Sequence, residues 1–229
     1  MSPSRRKFLS LAALTSGAMS LSGNLFASNS LTEEEYDLPA SIRDLKPMVD
    51  GIVPISVEER KQRIAKAQDL MAQEKIDAIF LEGTASSFYF TSMRWGQSER
   101  AFGVVIPASG SIAYVCPKFE EDRAMELINP VFGDEIRCWE EHENPYALIA
   151  GIVKDRGVKH KRIGMEERVR FFIADGVKKA APGFEIVDAT PITAGCRMYK
   201  SKAEIALMQK SSDITIEAYK AAFATLKPN

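Results

Sequence analysis

The densest run of chemically capable side chains is Glu140-Glu141-His142-Glu143. Carboxylates beside an imidazole are the ligand types of a divalent-metal site. Consecutive residues of a regular element cannot all point at one ion, however, and acids just ahead of a helix are favoured by its dipole. The run therefore reads as a solvated turn before a helix. The second histidine, His160, stands in Lys159-His160-Lys161-Arg162, where neighbouring cations oppose a divalent ion. With 2 His and 3 Cys in 229 residues, a zinc centre of the usual Cys/His type would have to be improvised. A thiol nucleophile at Cys116, Cys138 or Cys196 paired with either histidine is open in principle, but no local pattern supports it. The sequence contains no HExxH, GxSxG, GxGxxG or phosphate loop.

A more informative cluster is Met93-Arg94-Trp95-Gly96-Gln97-Ser98-Glu99-Arg100. Two Arg, a Glu and a Trp in one loop between strands suit recognition of a carboxylate or of a partner surface. The same residues admit a structural reading, with the arginines paired to nearby acids and Trp95 plugging the sheet edge. Arg94, Trp95, Glu99 and Arg100 are the candidate residues on either reading. A surface position is expected for them, since two guanidiniums cannot be buried without matched acids. The three thiols sit in apolar or strand-like contexts, and buried free cysteines are the expectation. A Cys116–Cys138 bridge is open to them if their strands are neighbours.

Several elements must position these groups. Residues 31–54 are polar at first, then broken by Pro39, Pro47 and Pro54, and read as a linker or arm. Ser56-Val57-Glu58-Glu59 has the spacing of a capping box, and Val57, Ile64, Ala67, Leu70 and Met71 predict a helix to about Glu74. Extended runs are predicted at 76–81, 88–91, 102–106, 111–116, 135–139, 162–165 and 185–188, the third and fourth forming a hairpin. Helices are predicted at 119–128, at 145–156 behind an Asn144 cap, and at 169–180. This alternation predicts an α/β domain with a mixed β-sheet flanked by helices. A second capping box, Ser201-Lys202-Ala203-Glu204, opens one long C-terminal helix. Its periodic residues Ile205, Met208, Ile216, Tyr219, Phe223 and Leu226 are expected to leave an apolar stripe in solvent.

Hydrophobic residues make up 45% and charged residues 27%, which excludes disorder, collagen and a disulfide scaffold for the whole chain. The 30 cations nearly balance the 31 acids, so there is no electrostatic case for nucleic acid or an anionic membrane surface. Residues 1–27 have a different character. Ser4-Arg5-Arg6-Lys7-Phe8-Leu9 resembles the bacterial twin-arginine motif, carried by Arg5 and Arg6. The apolar stretch that follows, diluted by Thr15, Ser16 and Gly17, is shorter than the roughly 20 residues a membrane span needs. A cleaved signal is expected, with export to the periplasm and no stable membrane insertion. Its loss would take the cations from 30 to 27 against 31 acids, a charge of −4.

The segment Gly195-Cys196-Arg197-Met198-Tyr199-Lys200-Ser201-Lys202-Ala203-Glu204-Ile205 resembles a junction in the creatinase/prolidase/Xaa-Pro aminopeptidase family. There an Arg, a Lys-Ser helix start and a Glu-Ile pair lead from the N-terminal domain into the metal-binding one. Tyr199 departs from the aliphatic residue usual before the Lys. Ser86-Ser87-Phe88-Tyr89-Phe90-Thr91-Ser92 is similar to the family's Asn-Ile-Tyr-Tyr-Leu-Thr-Gly segment. The helix with Glu59, Arg60 and Arg63 and the strand Ile163-Gly164-Met165-Glu166 also look like family elements.

The resemblance covers about residues 55–226. It implies a creatinase N-terminal-like α/β domain at 55–196, after a signal at 1–27 and an arm at 28–54. Residues 197–229 would be the junction and first helix of a "pita-bread" metallopeptidase domain. In the family that second domain holds two divalent metals, such as Mn, through two Asp, one His and two Glu. No position in this sequence matches those ligands, so no metal or other cofactor and no activity are expected of this chain alone. The resemblance also implies a homodimer, a proline-containing peptide substrate, and N-terminal loops that shape the substrate pocket, the Arg94–Arg100 loop being the candidate. The expectation is therefore the non-catalytic N-terminal part of an exported Xaa-Pro peptidase-like protein, truncated before the metal site. The alternative is a stand-alone exported binding or dimerisation module.

Overall fold

The computed structural model of the chain describes residues 38–226. The expected export signal, with Arg5 and Arg6, and the beginning of the arm lie outside the described residues. The chain divides into two compact units. Residues 49–213 form the larger, and the described residues of the smaller are 38–48 and 214–226.

In the larger unit, helix α2 (Val57–Glu74) starts where Ser56 accepts a hydrogen bond from the Glu59 N–H, 3.1 Å. It stops at Lys75, whose left-handed backbone turns the chain toward the sheet. The order along the chain is then β1 (Ala78–Glu82), α3 (Ala85–Thr91), β2 (Gly103–Pro107), β3 (Ala113–Pro117) and α4 (Glu121–Leu127). It continues with β4 (Glu135–Trp139), α5 (Pro145–Asp155), β5 (Arg162–Met165), α6 (Phe171–Ala180), β6 (Glu185–Asp188) and α7 (Thr190–Arg197). Helix α8 (Lys202–Phe223) begins in this unit and ends in the smaller one, which also contains the single turn α1 (Ala40–Arg43). Within the smaller unit the Ser41 hydroxyl donates to the Ala221 carbonyl, 2.9 Å.

The six strands form one mixed sheet in the order β4-β3-β2-β1-β5-β6. Strand β2 runs antiparallel to both neighbours, and the other pairs are parallel. Five strands therefore point the same way, and their carboxyl ends line one edge. Alternation along β1 sends Ile79 and Leu81 to one face and Ala78 and Phe80 to the other. The first face packs on α2 and α7 through Ala67, Met71, Ile192 and Cys196. The second packs on α5 and α6 through Ile149, Ile152, Val153, Ile173 and Val177. Both faces of β1, β2 and β3 are buried, which is why these strands read as unbroken apolar runs. The mixed sheet flanked by helices and the long C-terminal helix are those expected from the sequence.

Two elements differ from the sequence expectation. Residues 88–91 are not extended but belong to α3. Phe, Tyr and Thr favour strands by propensity, but Thr84 and Ser87 form a capping box that outweighs it. The Thr84 side chain accepts from the Ser86 N–H at 3.3 Å, and the Ser87 hydroxyl accepts from the Thr84 N–H at 3.0 Å. Helix α7 was not anticipated. Its signals are Pro191 in the first turn and Asp188, whose carboxylate accepts from the Thr190 N–H at 2.9 Å.

One buried carboxylate ties the start of β1 to the start of β5. Asp77, just before β1, accepts from the backbone N–H groups of Lys159 (2.8 Å), His160 (3.0 Å) and Arg162 (3.1 Å). Burial raises its pKa, but these bonds outweigh burial and hold the carboxyl below the ordinary aspartate range. Asp77→Ala is expected to cost about 3 kcal/mol in urea unfolding at pH 7. Because the folded pKa is depressed, the wild-type contribution is full above the unfolded aspartate pKa and is lost as pH falls through the folded one. The gap between wild type and variant should therefore close in acid.

Candidate functional site

Helix α3 leaves the carboxyl end of β1 with its last carbonyls facing α2 rather than water. Two guanidiniums from α2 satisfy them. Arg60 donates to the Phe88 and Tyr89 carbonyls, and Arg63 donates to the Tyr89 carbonyl at 3.0 Å. Arg60 and Arg63 are only 6% and 7% exposed. Each also lies over an aromatic ring, Arg60 5.0 Å from the centre of Phe88 and Arg63 4.0 Å from that of Tyr89. The Glu59 carboxylate accepts from Arg63 at 2.7 Å and from the Ser201 hydroxyl at 2.9 Å. Glu59 thus gives its N–H to the helix cap, while its carboxylate pairs with Arg63 on the same helix and accepts from Ser201 far along the chain.

The far end of this cluster is the junction motif read in the sequence. Ser201 and Glu204 make the predicted capping box, with bonds of 2.8 and 3.1 Å, and open α8. Glu204 also reaches Arg63 at 3.3 Å. Arg197 donates to the Ser86 hydroxyl at 2.9 Å and pairs with Glu167 at 3.5 Å. Glu167 in turn accepts from the Thr193 hydroxyl at 2.7 Å. The Tyr89 hydroxyl donates to the Cys196 carbonyl at 3.0 Å, and burial pushes its pKa up to about 12. These residues border an open cleft of about 580 Å³ whose wall includes Arg63, Phe88, Tyr89, Glu167, Arg197 and Glu204.

On the other side of α3 lies the predicted loop, beside a cleft of about 440 Å³ that shares Ala85 and Phe88. Arg94 is exposed, with its guanidinium 5.3 Å from the centre of Phe88. Glu99 is exposed and pairs with Arg100, which also donates to Glu141 at 2.6 Å and stacks 4.9 Å from the centre of Phe119. Trp95 corrects the expectation of a surface position. It is 8% exposed and stacks on Phe102 at 3.8 Å, with Arg123 over its ring at 4.6 Å. A side chain at Gly83 would come within 2.8 Å of the Trp95 carbonyl, so glycine there lets the loop close down. The aromatic plugs the edge because Phe102 offers a buried face that solvent cannot match. The loop therefore divides: Trp95 anchors it, while Arg94, Glu99 and Arg100 face outward.

Other groups at this edge escaped the sequence reading. Glu82, at the end of β1, is buried and held by Arg170 through its side chain (2.6 Å) and its N–H (2.7 Å). Gln97 in the loop donates to Glu82 at 3.2 Å and to the Arg168 carbonyl at 3.3 Å. Glu166, at the end of β5, is buried and accepts from the Thr84 hydroxyl at 3.1 Å. Burial, with the neighbouring Glu167, pushes its carboxyl above the usual range. A charged residue closing an apolar strand was the only signal for either acid.

Glu140, Glu141, His142 and Glu143 form the exposed turn expected before α5, with Glu143 accepting from the Glu140 N–H at 2.8 Å. His160 is exposed as well. Among the described residues no three His, Cys, Asp or Glu side chains are grouped so as to hold a metal ion. The described residues thus do not fit the two-metal centre that the family resemblance implies for a second domain. No helix among them is long and apolar enough to cross a membrane.

Comparison with known proteins finds a matching domain family and relatives that are peptidases. The Creatinase/Prolidase N-terminal domain matches residues 63–199. An uncharacterized peptidase of Schizosaccharomyces pombe is 32% identical over 194 residues, 80% of this chain and 42% of that protein. A putative dipeptidase of Bacillus subtilis is 26% identical over 66% of this chain and 41% of its own. The chain thus spans less than half the length of these relatives. Among solved structures, a prolidase from Thermococcus sibiricus superposes with TM-score 0.64 at 20% identity, covering 76% of this chain and 46% of the prolidase. A dipeptidase from Pyrococcus horikoshii superposes with TM-score 0.59 at 23% identity over 71% of this chain and 44% of its own. At these identities the two structures establish the fold.

The geometry separates anchors from outward-facing groups. Arg63→Met would leave Glu59 and Glu204 without their shared cation and is expected to cost about 3–5 kcal/mol in equilibrium unfolding. Trp95→Ala should cost about as much, roughly 3–5 kcal/mol, by opening a cavity against Phe102. Arg94→Ala should leave the unfolding midpoint within experimental error.

Proposed function

The chain belongs to the creatinase/prolidase N-terminal domain family, and on that premise we propose that it is the non-catalytic N-terminal half of an exported Xaa-Pro peptidase-like protein. In that role it supplies homodimer contact and shapes the pocket for a proline-containing peptide. The observation that carries the reading is the Arg63 cluster. It locks the start of α8 to the α/β domain through Glu59, Ser201 and Glu204, as a rigid joint between two halves requires.

Other observations support it. Ile205 and Met208 on the first part of α8 are 56% and 55% exposed, and in the smaller unit Tyr219, Phe223 and Leu226 are 61–69% exposed. Helix α2, by contrast, buries Ala67 and Met71 completely. An apolar stripe of this extent suits burial by a further domain. A second half carrying the two divalent metals, such as Mn, would provide that cover and the hydrolytic centre. Arg94, exposed beside the cleft at Phe88, and Arg100 farther along the loop are the groups proposed to meet the substrate carboxylate or the partner subunit. The run Ser4–Leu9, with Arg5 and Arg6, supports export through the twin-arginine route.

Two measurements test the reading. The purified chain, assayed on an Xaa-Pro dipeptide with added manganese or cobalt, is expected to show no hydrolysis. Metal-dependent cleavage that follows the protein through purification and is lost in His142→Ala would sink the non-catalytic assignment. In a protein that joins this chain to a metallopeptidase half, Arg94→Ala is expected to lower kcat/KM by about tenfold with Tm unchanged. Unchanged kinetics and an unchanged dimer would remove the loop from both roles.

A further inference from the structure

We propose that Cys116 and Cys138 form a dithiol that closes into an intramolecular disulfide by exchange with a small-molecule disulfide, cinching the segment that braces the Arg94–Arg100 loop. This rests on the sheet alone and is independent of the peptidase reading.

Cys116 on β3 and Cys138 on β4 are direct register partners in a parallel pair. Facing residues of neighbouring strands project from the same side of the sheet. Both thiols accordingly pack against the same core cluster as Tyr114 and Ile136. Adjacent strands lie about 4.8 Å apart, within the roughly 4.4–6.8 Å between Cα atoms that a disulfide spans. Both cysteines are free in this structure. The third, Cys196, is buried on α7 and has no cysteine register partner.

The two thiols differ in access. Strand β4 is an edge of the sheet and Cys138 is half-buried, whereas Cys116 is buried behind it. Burial pushes Cys116 up to about 12 and, with Glu121, pushes Cys138 up to about 11. Cys138 is therefore the more accessible of the pair. In the first step the Cys138 sulfur, having lost its proton, attacks one sulfur of the small disulfide. A protein–small-thiol mixed disulfide forms and one small thiolate leaves. Cys116 then loses its proton and attacks the Cys138 sulfur, and the second small thiolate leaves. Two cysteines have been oxidised, and the small disulfide has taken up two electrons and two protons as two thiols.

The segment 117–137 lies between the two sulfurs. It carries Phe119, on which Arg100 stacks, and Arg123, which covers Trp95. Closing it restricts the unfolded chain and stiffens the support of the loop.

The test incubates the folded protein with glutathione disulfide and counts thiols after denaturation. The count should fall from three to one, and proteolysis should release a peptide linking Cys116 to Cys138. The melting temperature should rise by about 5 °C or more, and dithiothreitol should reverse the rise. Cys196→Ala should bridge equally well, with no thiol left. Three thiols remaining, stable glutathione on Cys138, or a bridge that includes Cys196 would each overturn the proposal. A bridged protein with an unchanged melting temperature would overturn the cinching.

Discussion

The larger unit is organised around one buried cation. Taking a guanidinium out of water costs several kcal/mol unless its donors and its charge are matched. For Arg63 the matching groups come from three separate places. They are Glu59 one turn back on α2, the Tyr89 carbonyl and ring on α3, and Glu204 at the start of α8. Movement of any one of these leaves a charge or carbonyl unpaired, so helices far apart in sequence are fixed together. Arg60 repeats the device one turn earlier on the Phe88 and Tyr89 carbonyls. Helix α3, too short to be stable alone, is held at its first turn by Thr84 and at its last by these two side chains.

The carboxyl edge of the sheet shows how such pairing distributes function and support. Glu82 and Glu166 end neighbouring parallel strands, and both are buried. Glu82 is fully engaged by Arg170 and Gln97, and Gln97 passes that order on to the loop. Trp95 fixes the same loop from the other side by stacking on Phe102. Arg94 and Arg100 are therefore displayed from a rigid base, the arrangement that makes a charged side chain effective in recognition. The two clefts flanking α3 share Phe88, whose ring lies beneath Arg60 and Arg94.

Membership of the creatinase/prolidase N-terminal domain family explains why the junction motif is so polar. Arg197, Lys200 and Glu204 border the larger cleft, and Ser201 stands at the start of α8. Their contacts fasten a helix to a domain: Arg197 to Glu167 and Ser86, Ser201 to Glu59 and Glu204 to Arg63. That role accounts for their spacing without invoking catalysis.

The amino-acid sequence by itself determined the local elements. Apolar runs bounded by glycine and proline specified β1, β2 and β3, helical spacing specified α2 and α5, and the Ser201–Glu204 cap specified the start of α8. These depend on neighbours within a few residues, which periodicity and capping chemistry report directly. The sequence also marked Arg94 and Arg100 as outward-facing. What it left undecided depended on residues far along the chain. Aromatic propensity at 88–91 pointed to a strand, and the cap at Thr84 with Arg60 and Arg63 at the other end made it a helix. Trp95 had a polar neighbourhood in sequence but gained the Phe102 ring in space. Glu59 was legible as a cap, but its bond to Ser201, 142 residues on, was not. Burial of a charge is decided by whether a distant partner arrives, and that is a property of the tertiary structure alone.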